Sequence, residues 1–198
     1  GVKKAKGKYV AFLDSDDQWE ASKLAIQLRA MGDLGVDAAC CNAYRVVNGA
    51  PTDEGFVYWN RPLVMFRDLL LGNVVICSSV VLRRELALAA GGFPEQVEIT
   101  TIEDYAYWMR IAALSNIAFC PQRLVRYHDD PVHSIRGEQL SILAGRRKVA
   151  ADFERWMLER DPASPYLGFT AKWYWYGLTN PLAIAMNAFK KLRRSYLE

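Results

Sequence analysis

In Gly7-Lys8-Tyr9-Val10-Ala11-Phe12-Leu13-Asp14-Ser15-Asp16-Asp17 a short apolar run, led by a glycine, ends abruptly in three acids. The length and aromatic content of the run predict a buried strand, with the acids at its C-terminal end. Downstream, Leu24, Ile26, Leu28 and Met31, interspersed with Lys23, Gln27 and Arg29, predict a helix from Glu20 to about Met31, closed by Gly32. A strand feeding a helix, with polar ligands where the strand ends, is the unit of open α/β sheets, and those sheets bind their ligands at that end.

Working outward, residues 36–47 read as a second strand, and Asn48-Gly49-Ala50-Pro51 turns it into a polar hairpin or loop. A helix is expected from Pro62 to Leu71. Val74 to Leu82 is apolar and β-branched, a strand interrupted near Cys77-Ser78-Ser79, followed by a short helix to Ala90 and the turn Gly91-Gly92-Phe93-Pro94. A further helix opens at Thr100 to Asp104 and runs to about Ser115. Ile117 to Cys120 and Leu124 to Tyr127 read as short edge strands parted by Pro121. Beyond Asp129-Asp130-Pro131 the pattern is helical, so the expected organisation is an α/β domain over residues 1–136 with a helical C-terminal extension over 137–198.

With 52% hydrophobic and 24% charged residues in 198, the chain has the material for one real core, and a folded domain rather than disorder is expected. The formal net charge of +3 is small and scattered, so nucleic acid is excluded as a partner. Cys40, Cys41, Cys77 and Cys120 show no metal or redox spacing, and three of them lie in apolar runs; a reduced, cytoplasmic setting is expected. No apolar run of about 18 residues and no export signal is visible, so neither a membrane span nor secretion is expected.

Side chains alternate along extended backbone, so Asp14 and Asp16 are expected on one side of the strand end, with Ser15 and Asp17 turned away. Two converging carboxylates suit Mg²⁺ or Mn²⁺ held partly by substrate phosphate oxygens, because the cation removes the repulsion between carboxylate and diphosphate. The plainer reading is that Asp16 or Asp17 caps the next helix.

From Gly1 through Trp19, and on to Lys23-Leu24 and Gln27, the sequence resembles the D-x-D region of family-two glycosyltransferases, inverting enzymes with a GT-A fold: G-x-Y-hydrophobic, L-D-S-D-D-x-W, then K-L-x-x-Q. The resemblance continues from Asn73 to Ala113 through a serine-rich strand, Gly91-Gly92-Phe93-Pro94-Glu95 and Glu103-Asp104-Tyr105 with Trp108 and Arg110, and it reaches about Arg136. It implies a GT-A type mixed sheet flanked by helices. It implies nucleotide and metal contacts from Asp14, Asp16 and Asp17, a catalytic base at Asp104, and Glu103 positioning the acceptor. Trp19 is expected to pack rather than to face a sugar. Against the assignment of Asp104, Thr101-x-x-Asp104 and Thr100-x-x-Glu103 both match a capping box.

The family's histidine after the last core strand has no exact counterpart: Asp130 stands three beyond Tyr127, flanked by His128 and His133. His133 is the candidate for the metal site and Arg136 for the diphosphate, with a solvated loop as the alternative. The resemblance also implies strands upstream of Gly1 that hold the nucleotide base. The expected activity is metal-assisted transfer of a sugar from a nucleotide-diphosphate donor to a hydroxyl of a glycan or lipid-linked acceptor. A non-catalytic, carbohydrate-binding scaffold is the alternative. Trp173-Tyr174-Trp175-Tyr176 and the basic run Lys190 to Arg194 suit the surface of an anionic bilayer, at the inner face of the membrane; the plainer reading is a helix packed on the core with a solvated basic end.

Overall fold

The computed structural model describes residues 1–47, 50–128 and 142–168. The central element is the strand β3 (Ala38–Val47), whose run Ala38-Ala39-Cys40-Cys41 is buried without alternation. Small apolar residues pointing both ways mark a strand covered on both faces. It pairs in parallel with β7 (Ile117–His128), from Ala38↔Ile117 to Val46↔His128. The sheet runs β1 (Tyr9–Ala11), β6 (Val81–Arg83), β3, β7, β2 (Gln18–Trp19), with β4 (Ala50–Gly55) on β3 and β5 (Leu63–Val64) on β7. Every pair except β3 with β7 is antiparallel, so the sheet is mixed.

Helices cover it. On one face α1 (Lys23–Leu34) lays Met31 against Ala39, Val81 and Ala118 and brings Ile26 against Cys41, Ile76, Cys120 and Val125. It stops at Gly35, whose φ of +63° is the left-handed conformation that ends a helix and favours glycine. The helices α2 (Phe66–Leu71), α3 (Arg84–Ala89) and α4 (Glu103–Leu114) complete the core region, with Tyr107, Trp108, Met109 and Ile111 of α4 buried. Near the end of the described region lies α5 (Ile142–Arg160).

By contact the chain groups into Gly1–Val149 and Ala150–Glu198, and the division falls within α5. The described part of the second unit holds its own ring contacts, Phe153 to Trp156 at 5.9 Å and Phe153 to Tyr166 at 6.4 Å. The expected boundary at 136–137 and the aromatic and basic tail lie outside the described residues. Among the described residues no helix is long and apolar enough to cross a membrane.

Five elements differ from expectation. Of the strand expected from Val74 to Leu82 only β6 forms, from Val81, because Cys77–Ser79 takes a short helical turn. β1 is only three residues long and lies at the edge of the sheet, half-buried rather than buried, although Phe12 N–H still donates to Val80 O at 3.2 Å. The helix after the acids begins at Lys23 and runs past Gly32 to Leu34, because residues 18–19 pair with β7 instead. Residues 63–64 are strand, not helix, and α2 begins only at Phe66. Ile117 to His128 is one interior strand rather than two edge strands. Pro121 and Gln122 are exposed and skipped in the register between Cys41↔Cys120 and Asn42↔Arg123, so a bulge absorbs the proline without ending the strand.

Candidate active site

Two acidic segments, about ninety residues apart in sequence, meet at the sheet's edge. The first is a turn. Asp17 N–H donates to Asp14 O at 3.2 Å, so the backbone is already folding back where extended alternation was expected. Asp14, Ser15 and Asp16 are exposed, whereas Asp17 is directed inward and only 7% exposed. Its Oδ1 accepts the His128 amide at 2.9 Å, tying the turn to the end of β7, and its Oδ2 has no hydrogen-bond partner among the described residues. Burial raises the Asp17 carboxyl above its ordinary range; the neighbouring Ser78 hydroxyl and the His128 amide oppose this, and the charges of Asp16 and Asp14 add to it.

The short helical turn Cys77–Ser79 supports these acids from below. Ser78 Oγ accepts the Asp14 amide at 3.0 Å, and Ser78 O accepts the Trp19 indole N–H at 2.7 Å. Trp19 thus packs and holds the loop, as expected of it.

The second segment is the start of α4. Neither threonine caps it: the N-cap is Ile102, with no side-chain cap bond. Thr101 has φ +75°, a conformation that a β-branched residue adopts at a cost of about 1–3 kcal/mol, and the strain immediately precedes Glu103 and Asp104. The Asp104 Oδ1 accepts the Tyr105 amide at 2.6 Å and its Oδ2 accepts Asn73 Nδ2 at 3.2 Å, while Asn73 Oδ1 takes the Val75 amide at 3.0 Å. Glu103 Oε2 is buried without a hydrogen-bond partner among the described residues.

An aromatic cluster draws the two segments together. Phe12, two residues before Asp14, lies 5.1 Å from Phe93, 6.2 Å from Tyr107 and 5.7 Å from Trp108, and Phe93 lies 4.7 Å from Tyr107. Cys77 registers the outcome. Burial pushes its thiol up, and the charges of Asp14, Asp104, Glu103 and Asp17 push in the same direction, so one side chain feels carboxylates from both segments. Of the residues singled out in the sequence, these four and Asp16 fall in this region, and His133 and Arg136 lie outside the described residues. Asn73 and Ser78 were not singled out; a polar residue beginning an apolar run, and a serine pair interrupting one, were their only signals.

A mixed sheet flanked by helices, with acids beyond the short strand β1, is the arrangement of the GT-A class. Residues 1–87 match the model of "Glycosyl transferase family 2". TuaG of Bacillus subtilis, named as a teichuronic acid biosynthesis glycosyltransferase, is 32% identical over 112 residues, which are 56% of this chain and 42% of that protein. WfgD of Escherichia coli, named as a UDP-Glc:alpha-D-GlcNAc-diphosphoundecaprenol beta-1,3-glucosyltransferase, is 33% identical over 117 residues, 59% of this chain and 43% of that protein. The crystal structure of S. aureus TarS 1-349 in complex with UDP-GlcNAc superposes with a TM-score of 0.57 at 17% identity, covering 91% of this chain and 54% of that one. Residues 1–87 are thus similar to glycosyl transferase family 2, and the structure has the GT-A fold that the sequence predicted. The matches span less than half the length of each curated relative.

Proposed function

We propose that the protein transfers a sugar from a nucleotide-diphosphate sugar to a hydroxyl of a glycan or lipid-linked acceptor, with inversion at the sugar carbon and with Mg²⁺ or Mn²⁺ at the acidic turn. The observation that carries this is the meeting of the Asp14–Asp17 turn and the Glu103-Asp104 pair around Cys77. The names of the relatives support the choice of partners: WfgD is named for UDP-Glc and a diphosphoundecaprenol-linked acceptor, and the TarS structure holds UDP-GlcNAc. Cell-envelope glycan synthesis at the inner face of the membrane is the setting that fits them.

Among the described residues no group of three or more His, Cys, Asp or Glu could hold a metal ion by itself. The donor set that is present fits an ion held by one or two carboxylates and completed by phosphate oxygens and water. The exposed Asp14 and Asp16 would hold it, and Asp17, bonded to the His128 amide, anchors the turn. When bound, the ion would neutralise the charge that grows on the departing diphosphate.

Asp104 acts as the base. Asn73 and the Tyr105 amide orient its carboxylate, which accepts the proton of the acceptor hydroxyl as that oxygen attacks the sugar carbon; the bond to phosphate breaks on the opposite face. Glu103, with one oxygen unpartnered among the described residues, positions the acceptor.

Asp104→Asn in the full-length protein is expected to leave metal-dependent UDP binding intact and to lower transfer by roughly 10²-fold or more. Asp16→Ala should impair both binding and turnover, because its role precedes chemistry. Steady-state transfer assays and calorimetry separate the two. An Asp104→Asn enzyme that transfers at the wild-type rate would remove Asp104 as the base.

A further inference from the structure

Lys23 is 1% exposed, and its Nζ has no hydrogen-bond partner among the described residues. The ammonium lies over the Trp19 indole, 4.1 Å from the ring centroid. The titratable groups that act on it are thiols, Cys41 and Cys40 from β3 and Cys120 from β7, and burial holds all three above the ordinary thiol range. Burial likewise lowers Lys23 to about 8. A buried ammonium without an anion destabilises a fold, and an unbranched apolar side chain would fill the same space without that cost. The indole face is its compensation, and the geometry says what the contact does.

A cation on the ring face draws electron density from the indole and strengthens its N–H as a donor. That N–H is bonded to Ser78 O at 2.7 Å, and Ser78 Oγ receives the Asp14 amide at 3.0 Å. One turn along α1, the buried Gln27 donates to the next carbonyl, Ser79 O, at 2.7 Å, and the Cys41 thiol reaches the same oxygen at 3.9 Å. Two consecutive carbonyls of the Cys77–Ser79 turn are therefore held, one by Trp19 of β2 and the next by Gln27 of α1.

We propose that Lys23 is a positioning residue for the acidic turn: its ammonium fixes the Trp19 ring, the ring fixes Ser78, and Ser78 fixes the Asp14–Asp17 backbone in the conformation that receives the donor. This rests on the reading of that turn as the donor site.

The test compares full-length wild type with Lys23→Met, Trp19→Phe and the double variant, using UDP in Mn²⁺ as the probe. Lys23→Met keeps the length and removes the charge; Trp19→Phe keeps a ring for the cation and removes the N–H. Each single variant should bind UDP about tenfold more weakly, and the double variant no worse than the weaker single one, because both act in one chain of contacts. Lys23→Met should melt at or above the wild-type temperature while binding less tightly, a split that a merely structural lysine does not produce. Its Trp19 indole N–H resonance, assigned by its loss in Trp19→Phe, should move upfield. Variants that bind UDP as a binding wild type does, or an indole resonance unmoved in Lys23→Met, would overturn the inference alone. A wild type that binds no UDP at any Mn²⁺ concentration overturns the donor-site reading and the inference with it.

Discussion

Asp17 differs from its neighbours in where the chain puts it: the turn that exposes Asp14 and Asp16 carries Asp17 inward, where burial disfavours its charge. A carboxyl whose pKa is raised in the fold stays protonated there after the unfolded chain has released its proton. Stability therefore falls as pH rises from the ordinary value of 3.8 through the folded one, and above that window the cost is constant. Asp17→Asn keeps an oxygen for the His128 amide and has no such window. In chelator it should gain on wild type as pH rises from 3.8 in denaturant melts, while binding UDP and Mn²⁺ less tightly. A stability difference independent of pH would show that the Asp17 charge is not the destabilising element.

At the scale of elements, the aromatic cluster is what converts two sequence motifs into one site. Trp108 is fully buried and touches Phe12, Phe93 and Tyr107, so Trp108→Ala should cost about 3–5 kcal/mol in a urea melt. A loss below about 1 kcal/mol would mean that α4 is held elsewhere. Most of these elements were legible because their signals are local: the apolar run before Asp14, the period of α1, and the acids opening α4. What was not legible depends on partners far along the chain. Gln18-Trp19 became strand because β7 supplies its ladder, and Pro121 was read as a break because nothing nearby announces a parallel partner able to accommodate a bulge. The threonines before Glu103 matched a capping pattern, yet the loop's path makes Ile102 the cap and puts strain on Thr101. In the site, residue types were readable, but the inward turn of Asp17 and the Asn73 bond to Asp104 needed the folded backbone.

For the molecule as a whole, a ligand that binds only the folded state raises its melting temperature by mass action. UDP at a hundred times its Kd in Mn²⁺ should add about 2.7 kcal/mol, and chelator should abolish most of that shift. An equal shift in chelator would remove the metal from the donor site. The bond between the Asp17 carboxylate and the His128 amide bears on synthesis as well. The two residues are 111 positions apart, and at about 5–20 residues per second the ribosome needs roughly 6 to 22 seconds to make the second after the first. For that interval Asp17 has been made and the end of β7 has not, so a growing chain carries the acidic turn with Ser78 as a partner but without the amide that holds Asp17, and the turn proposed to receive the donor is completed only once β7 has left the exit tunnel.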